Sequence, residues 1–116
     1  LIQKTESAAG ETIREFSPWE YGALMTEEEA QALTEMMRAV VESGTGSALQ
    51  NDRYTAAGKT GSAEYETGKE THAWFTGFAP AEDPQIVVTV IVEEGGSGGR
   101  TAGPAARAVM DAWFSE

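Results

Sequence analysis

Lys59-Thr60-Gly61-Ser62 sets a lysine, two hydroxyls and a glycine in consecutive positions, inside a run of small residues that reads as a strand over 53–65. Lysine supplies a fixed positive charge and three hydrogen-bond donors. Thr60 and Ser62 supply hydroxyls that can bind a carboxylate or pass a proton. Gly61 removes a side chain, so a ligand can approach the backbone closely. At a sheet edge the outward N–H groups are free, and one can serve as an oxyanion donor in acyl transfer. A substrate could also pair along such an edge as an added strand. The stretch therefore reads as a wall for a carboxylate and an oxyanion, not as a nucleophile centre. Strict alternation puts Lys59 and Thr60 on opposite faces. Strong twist at an edge would let both reach one cleft. The plain alternative is a strand of small residues with one solvated lysine.

Several elements must position that strand. Residues 1–17 read as two short strands around a turn at Gly10, with Pro18 ending the second. A helix is predicted over 26–43: Thr26 is an N-cap and Glu29 completes a capping box. Glu27, Glu28 and Glu29 suit the positive end of its dipole without any metal role. Ala30, Leu33, Met36, Met37, Val40 and Val41 form its apolar face, and Gly44 is expected to stop it in a left-handed conformation. The loop 43–48, SGTGSA, reads as the helix C-cap and a turn. It does not lead from a strand into a helix with lysine, as a phosphate loop requires. After a turn at 68–71 comes an aromatic strand over 72–80, ended by Pro80. His72, Trp74, Phe75 and Phe78 read as packing residues there. A turn at 81–84 leads to the β-branched run 85–94, which suits a strand covered on both faces by helices. Residues 95–100 read as a flexible loop, either a plain linker or a mobile lip. Pro104 opens a last helix with an apolar stripe of Ala106, Val109, Met110 and Trp113. The order is hairpin, helix, three strands, helix: an α+β unit with an antiparallel sheet and flanking helices.

Composition narrows the function. Of 116 residues, 41% are hydrophobic and 23% charged, as in a single soluble globular domain. Lys and Arg number 8 and Asp and Glu 19, a net charge of −11. An acidic chain repels phosphate backbones, so nucleic-acid binding is not expected. The absence of cysteine excludes disulfides and thiolate metal sites, and the only histidine, His72, leaves little for a histidine-based metal site; no metal and no cofactor are expected. The chain opens on Leu1, and no apolar run reaches the roughly 18 residues of a membrane span. It is expected to be cut from something longer, with any signal or anchor upstream.

AAGKTGSAEY, then HAWFTGFAP, then PQIVVTVIVEE, a glycine-rich loop and a closing helix resemble the C-terminal part of the transpeptidase domain of penicillin-binding proteins, of the monofunctional class B type. The resemblance runs from about residue 20 to the end. It implies the serine beta-lactamase and penicillin-binding transpeptidase fold, with residues 1–116 as one portion of a domain. It implies a serine acyltransferase that cross-links peptidoglycan stem peptides and is acylated by beta-lactams. Lys59 would hold the cleft's hydrogen bonds and positive potential. Thr60 and Ser62 would bind the carboxylate of substrate or antibiotic, the Ser62 N–H would be one oxyanion donor, and Gly61 would keep the strand open. The family needs S-x-x-K for the nucleophile and its base, and S-x-N in a second loop. None of Ser7, Ser17, Ser43, Ser47, Ser62, Ser97 and Ser115 has lysine three residues on or asparagine two residues on. Both motifs would lie upstream, so the chain is expected to be inactive alone. Its partners would be a stem peptide or beta-lactam and the upstream part of the same domain. Apolar surface left bare without that part would drive self-association. The location implied is the cell envelope, outside the cytoplasm, with an anchor in the cytoplasmic membrane. A beta-lactamase or a beta-lactam sensor shares the motif; the tryptophan-bearing strand favours the transpeptidase.

Overall fold

The structure, a computed structural model, describes residues 2–17 and 22–115. Strands β1 (Lys4–Glu6) and β2 (Thr12–Glu15) pair antiparallel. Gly10, at φ 83°, makes the turn in the left-handed region that favours glycine. Apart from half-buried Ser7, every residue of 2–17 is exposed, so this hairpin has no core of its own. Pro18, read as its stop, lies outside the described residues.

Helix α1 (Glu27–Ser43) starts as the sequence predicts. Thr26 Oγ1 accepts from the Glu29 N–H at 3.2 Å, and the Thr26 N–H donates to Glu29 Oε2 at 2.8 Å. Its inward stripe is Ala30, Thr34, Met37 and Val41, one position every three or four residues. Leu33 and Met36, expected on that face, are 42% and 61% exposed because they fall to one side of the stripe. Gly44 does not take the left-handed conformation expected of it: it is extended, at φ −113° and ψ −154°. Its need for glycine is crowding, since a Cβ there would sit 2.9 Å from the Val40 carbonyl oxygen. A 3₁₀ turn (Ser47–Leu49) follows and buries Leu49 completely.

Three antiparallel strands come next: β3 (Ala57–Ala63), β4 (His72–Ala79) and β5 (Ile86–Val92), in the spatial order β3-β4-β5. The register sets Gly58 opposite Gly77 and Thr60 opposite Phe75. Phe75 is fully buried, and its ring lies over both glycines: a Cβ on Gly58 would be 2.3 Å from Phe75 Cζ, and one on Gly77 2.8 Å. The two glycines are the seat for the largest fully buried side chain. Alternation makes the inner face from Gly58, Thr60, Ala73, Phe75, Ala79, Val88 and their neighbours.

β5 departs from expectation. Val88 is 7% exposed, but Val87 and Ile91 are 72% and 46% exposed, so among the described residues the strand is covered on one face only. The cover is helix α2 (Gly103–Trp113), whose Gly103, Ala106 and Met110 are buried. Val109 and Trp113, expected in the same stripe, are 48% and 53% exposed. The loop before α2 is not the free linker or lip its glycines suggested. Gly98–Ala102 form a π-helical turn, with the Gly103 N–H donating to the Gly98 carbonyl, and Gly98 is buried.

Candidate active-site strand

β3 is the edge of its sheet, with β4 on one side and no strand on the other among the described residues. The pleat separates the motif as alternation requires. Thr60 faces inward at 9% exposure, and Lys59 is exposed on the outer face. Yet Lys59 folds back along its own strand, and Nζ donates to the Thr60 carbonyl at 2.5 Å. The long side chain carries the positive charge to the Thr60 carbonyl. Gly61 has only mild crowding: a Cβ there would meet Trp74 Cβ at 3.3 Å. Thr60 and Ser62, two residues apart, put their hydroxyls on the same face.

Two glycine-rich loops pack against that face. The N–H groups of Gly44 and Gly46 both donate to the Val40 carbonyl, at 3.1 and 2.9 Å, and hold Thr45 between them. Thr45 Oγ1 lies 2.6 Å from Thr60 Oγ1. The π-helical turn presses on the strand from the other loop. A Cβ on Gly98 would be 2.3 Å from the Trp74 carbonyl oxygen and 2.4 Å from that of Gly61, and one on Gly99 would be 2.3 Å from the Thr45 carbonyl oxygen. The Gly98 N–H donates to Ser62 Oγ at 3.4 Å. Thr45, Gly98 and Gly99 were not singled out from sequence. The available signal was the pair of glycine-rich loops, each read alone as a turn or linker.

Charged residues fasten the approach to β3. Arg107 of α2 donates to the Gln50 and Ala48 carbonyls at 2.7 and 3.3 Å, and its Nε meets Asp111 at 2.8 Å. Asp111 also accepts from the Tyr54 hydroxyl at 2.7 Å and pairs with Arg53 at 2.7 Å. Burial first, then the bond to Asp111, pushes the Tyr54 hydroxyl up to about 12. The same bond, with help from Arg107 and Arg53, holds the Asp111 carboxyl below the usual carboxylate range. His72 is tied into structure: Nδ1 accepts from the Glu94 N–H at 3.0 Å, and its ring stacks on Tyr65 at 4.1 Å. Nε2 therefore carries the proton of the neutral ring. Tyr65 hydrogen-bonds Glu94, and that bond raises the tyrosine's pKa. Among the described residues no group of three or more His, Asp or Glu side chains could hold a metal.

The arrangement can bind an anion beside two hydroxyls and offer an edge to an acyl group, but it holds no activated nucleophile. The family model described as the penicillin binding protein transpeptidase domain matches residues 7–111. The chain is similar to the peptidoglycan D,D-transpeptidase MrdA of Haemophilus influenzae, 40% identical over 88 residues, 63% of this chain and 14% of that protein. The MrdA of Acinetobacter baumannii is 33% identical over 128 residues, covering 98% of this chain and 19% of its own length. The solved penicillin G acyl-enzyme complex of penicillin-binding protein A from M. tuberculosis superposes with a TM-score of 0.73 at 30% identity, over 97% of this chain and 26% of that one. The chain thus spans between a seventh and a fifth of the MrdA relatives it matches.

Proposed function

The chain belongs to the penicillin-binding protein transpeptidase domain family, and on that premise we propose that it is the C-terminal portion of one such domain, in a peptidoglycan D,D-transpeptidase acting outside the cytoplasm. Cross-linking proceeds by serine acyl transfer. A serine in S-x-x-K attacks the D-Ala-D-Ala carbonyl, the terminal D-Ala leaves, and an amine on a second stem peptide takes the acyl group. That serine and its lysine come from outside these 116 residues, as does S-x-N. This chain contributes the wall opposite. Thr60 and Ser62 hold the substrate carboxylate through their hydroxyls. The Ser62 N–H is one of two oxyanion donors, and such a donor is worth roughly 100- to 1,000-fold in rate. Lys59 supplies positive potential at Thr60, and Gly61 leaves the strand open to the acyl group. A beta-lactam occupies the same wall as a mimic of the peptide. The parent is anchored to the cytoplasmic membrane by a segment outside the described residues, none of whose helices is long and apolar enough to cross a membrane.

One observation carries this reading. The K-T-G-S stretch forms a sheet edge whose two hydroxyls share a face, with the lysine ammonium drawn to the Thr60 carbonyl. The test is to label the protein that contains this chain and S-x-x-K with a fluorescent penicillin and follow the label. The expected outcome is an adduct that persists for hours. Loss within seconds would reassign the protein to the beta-lactamases. A protein that reads S-x-x-K and never labels would overturn the motif roles.

A further inference from the structure

Thr60 has a single hydroxyl proton, and that proton has two candidate acceptors. One is a bound carboxylate, which only accepts. The other is Thr45 Oγ1, 2.6 Å away, where either hydroxyl can be the donor. If Thr60 donates to Thr45, nothing remains for the carboxylate. If Thr45 donates to Thr60, the Thr60 proton is free to turn toward the ligand. The bond must therefore run from Thr45 to Thr60 when an anion is bound.

Thr45 is built to stay where it is. Gly44 and Gly46 on either side of it both donate to the Val40 carbonyl. Gly99 lies so close behind it that a Cβ would come within 2.3 Å of the Thr45 carbonyl oxygen. A Cβ on Gly46 would meet Val40 Cγ1 at 3.2 Å. The loop is thus pinned between the end of α1 and the π-helical turn, and Thr45 presents its hydroxyl from a fixed backbone.

We propose that Thr45 is a positioning residue for carboxylate recognition: its hydroxyl donates to Thr60 Oγ1 and so directs the Thr60 proton at the carboxylate of substrate or beta-lactam. The proposal rests on the carboxylate role given to Thr60 above. Thr45 itself touches no ligand. Its effect is confined to ligands that carry the anion.

The experiment compares benzylpenicillin with its methyl ester as acylating agents of the full-length protein. Each variant's acylation rate constant is divided by the wild-type value for the same compound. Thr45→Val should lower the benzylpenicillin rate about tenfold, the scale of one misdirected hydrogen bond to a charged group. It should change the ester rate less than about twofold, since only the charge-assisted bond is lost. Thr45→Ser, which keeps the hydroxyl, should restore the benzylpenicillin rate. Thr45→Ala removes the hydroxyl without branching and gives the same reading should the valine variant not fold. An equal loss on both compounds, or a loss on neither, overturns the proposal. Thr60→Val serves as the separate check. If it shows no difference between acid and ester, the carboxylate role of Thr60 is wrong and the Thr45 proposal falls with it. If Thr60→Val discriminates and Thr45→Val does not, only the Thr45 proposal fails.

Discussion

The two faces of the β3-β4-β5 sheet are made by alternate residues of the same strands, yet they differ sharply. The inner face is dry: Ala73, Phe75 and Ala79 are fully buried, and Val88 nearly so, under α2 and the loops. The outer face carries Lys59 and the apolar side chains of Trp74, Val87 and Ile91, which are 39%, 72% and 46% exposed. The inner face is where backbone meets backbone or ring at distances only glycine allows, at Gly58, Gly77 and Gly98. The motif strand is therefore held from the same face on which Thr60 and Ser62 present their hydroxyls. The sheet's outer face leaves Trp74, Val87 and Ile91 as exposed apolar surface, and under the proposed function the upstream part of the same domain would cover it.

Changes that attack each face should separate them. The largest effect is expected from Phe75→Ala, which empties the seat between Gly58 and Gly77. Urea unfolding should show a loss of about 3–5 kcal/mol, and a loss under about 1 kcal/mol would mean the inner face is not the core. Gly58→Ala drives a Cβ into the same ring and should cost about 1–3 kcal/mol by overpacking. Its counterpart Gly61→Ala meets only Trp74 Cβ at 3.3 Å and should cost less than about 1 kcal/mol. Equal losses at the two glycines would erase the distinction.

The support behind the inner face should also show in pH dependence. Tyr54 has its folded pKa raised above the ordinary value of 10.0, to about 12. Its contribution is therefore complete below pH 10 and lost as pH climbs through about 12. Alkaline unfolding followed by circular dichroism should shift in that window, and Tyr54→Phe should remove the shift. A profile unchanged by Tyr54→Phe would take Tyr54 out of the support. Asp111 runs the other way: its folded pKa is lowered, so its contribution is present at neutral pH and declines as pH falls through the carboxylate range.

The smallest change in stability is expected on the outer face. Val87→Thr with Ile91→Thr should move the unfolding free energy by no more than about 0.5 kcal/mol each, as at other solvent-facing positions. The 116-residue chain should self-associate through this face, and the double variant should sediment closer to a monomer. A wild-type chain that stays a compact monomer at high concentration would contradict the bare-face reading.

Local signals made much of this legible in advance. The capping box at Thr26 and Glu29 fixed the start of α1, and Gly10 the turn of the hairpin. The aromatic and β-branched runs marked β4 and β5. What escaped depends on distant partners. An unbroken run such as 86–92 hides its alternation, so one-sided cover cannot be told from two-sided by residue type. Gly44 resembled a left-handed stop because crowding by Val40 and a positive φ select the same residue. The reach of Lys59 to Thr60 depends on rotamers. The contact of Thr45 with Thr60 joins residues 15 positions apart through a loop whose glycines looked like plain punctuation.

The most direct measurement is a crystal structure of the penicillin acyl-enzyme of the protein containing this chain and S-x-x-K. The antibiotic's carboxylate should lie within about 3.2 Å of Thr60 Oγ1 and Ser62 Oγ, and the acyl oxygen within about 3.1 Å of the Ser62 nitrogen. A carboxylate held elsewhere, with β3 contacting neither it nor the acyl group, would contradict the assignment of this strand as the binding wall.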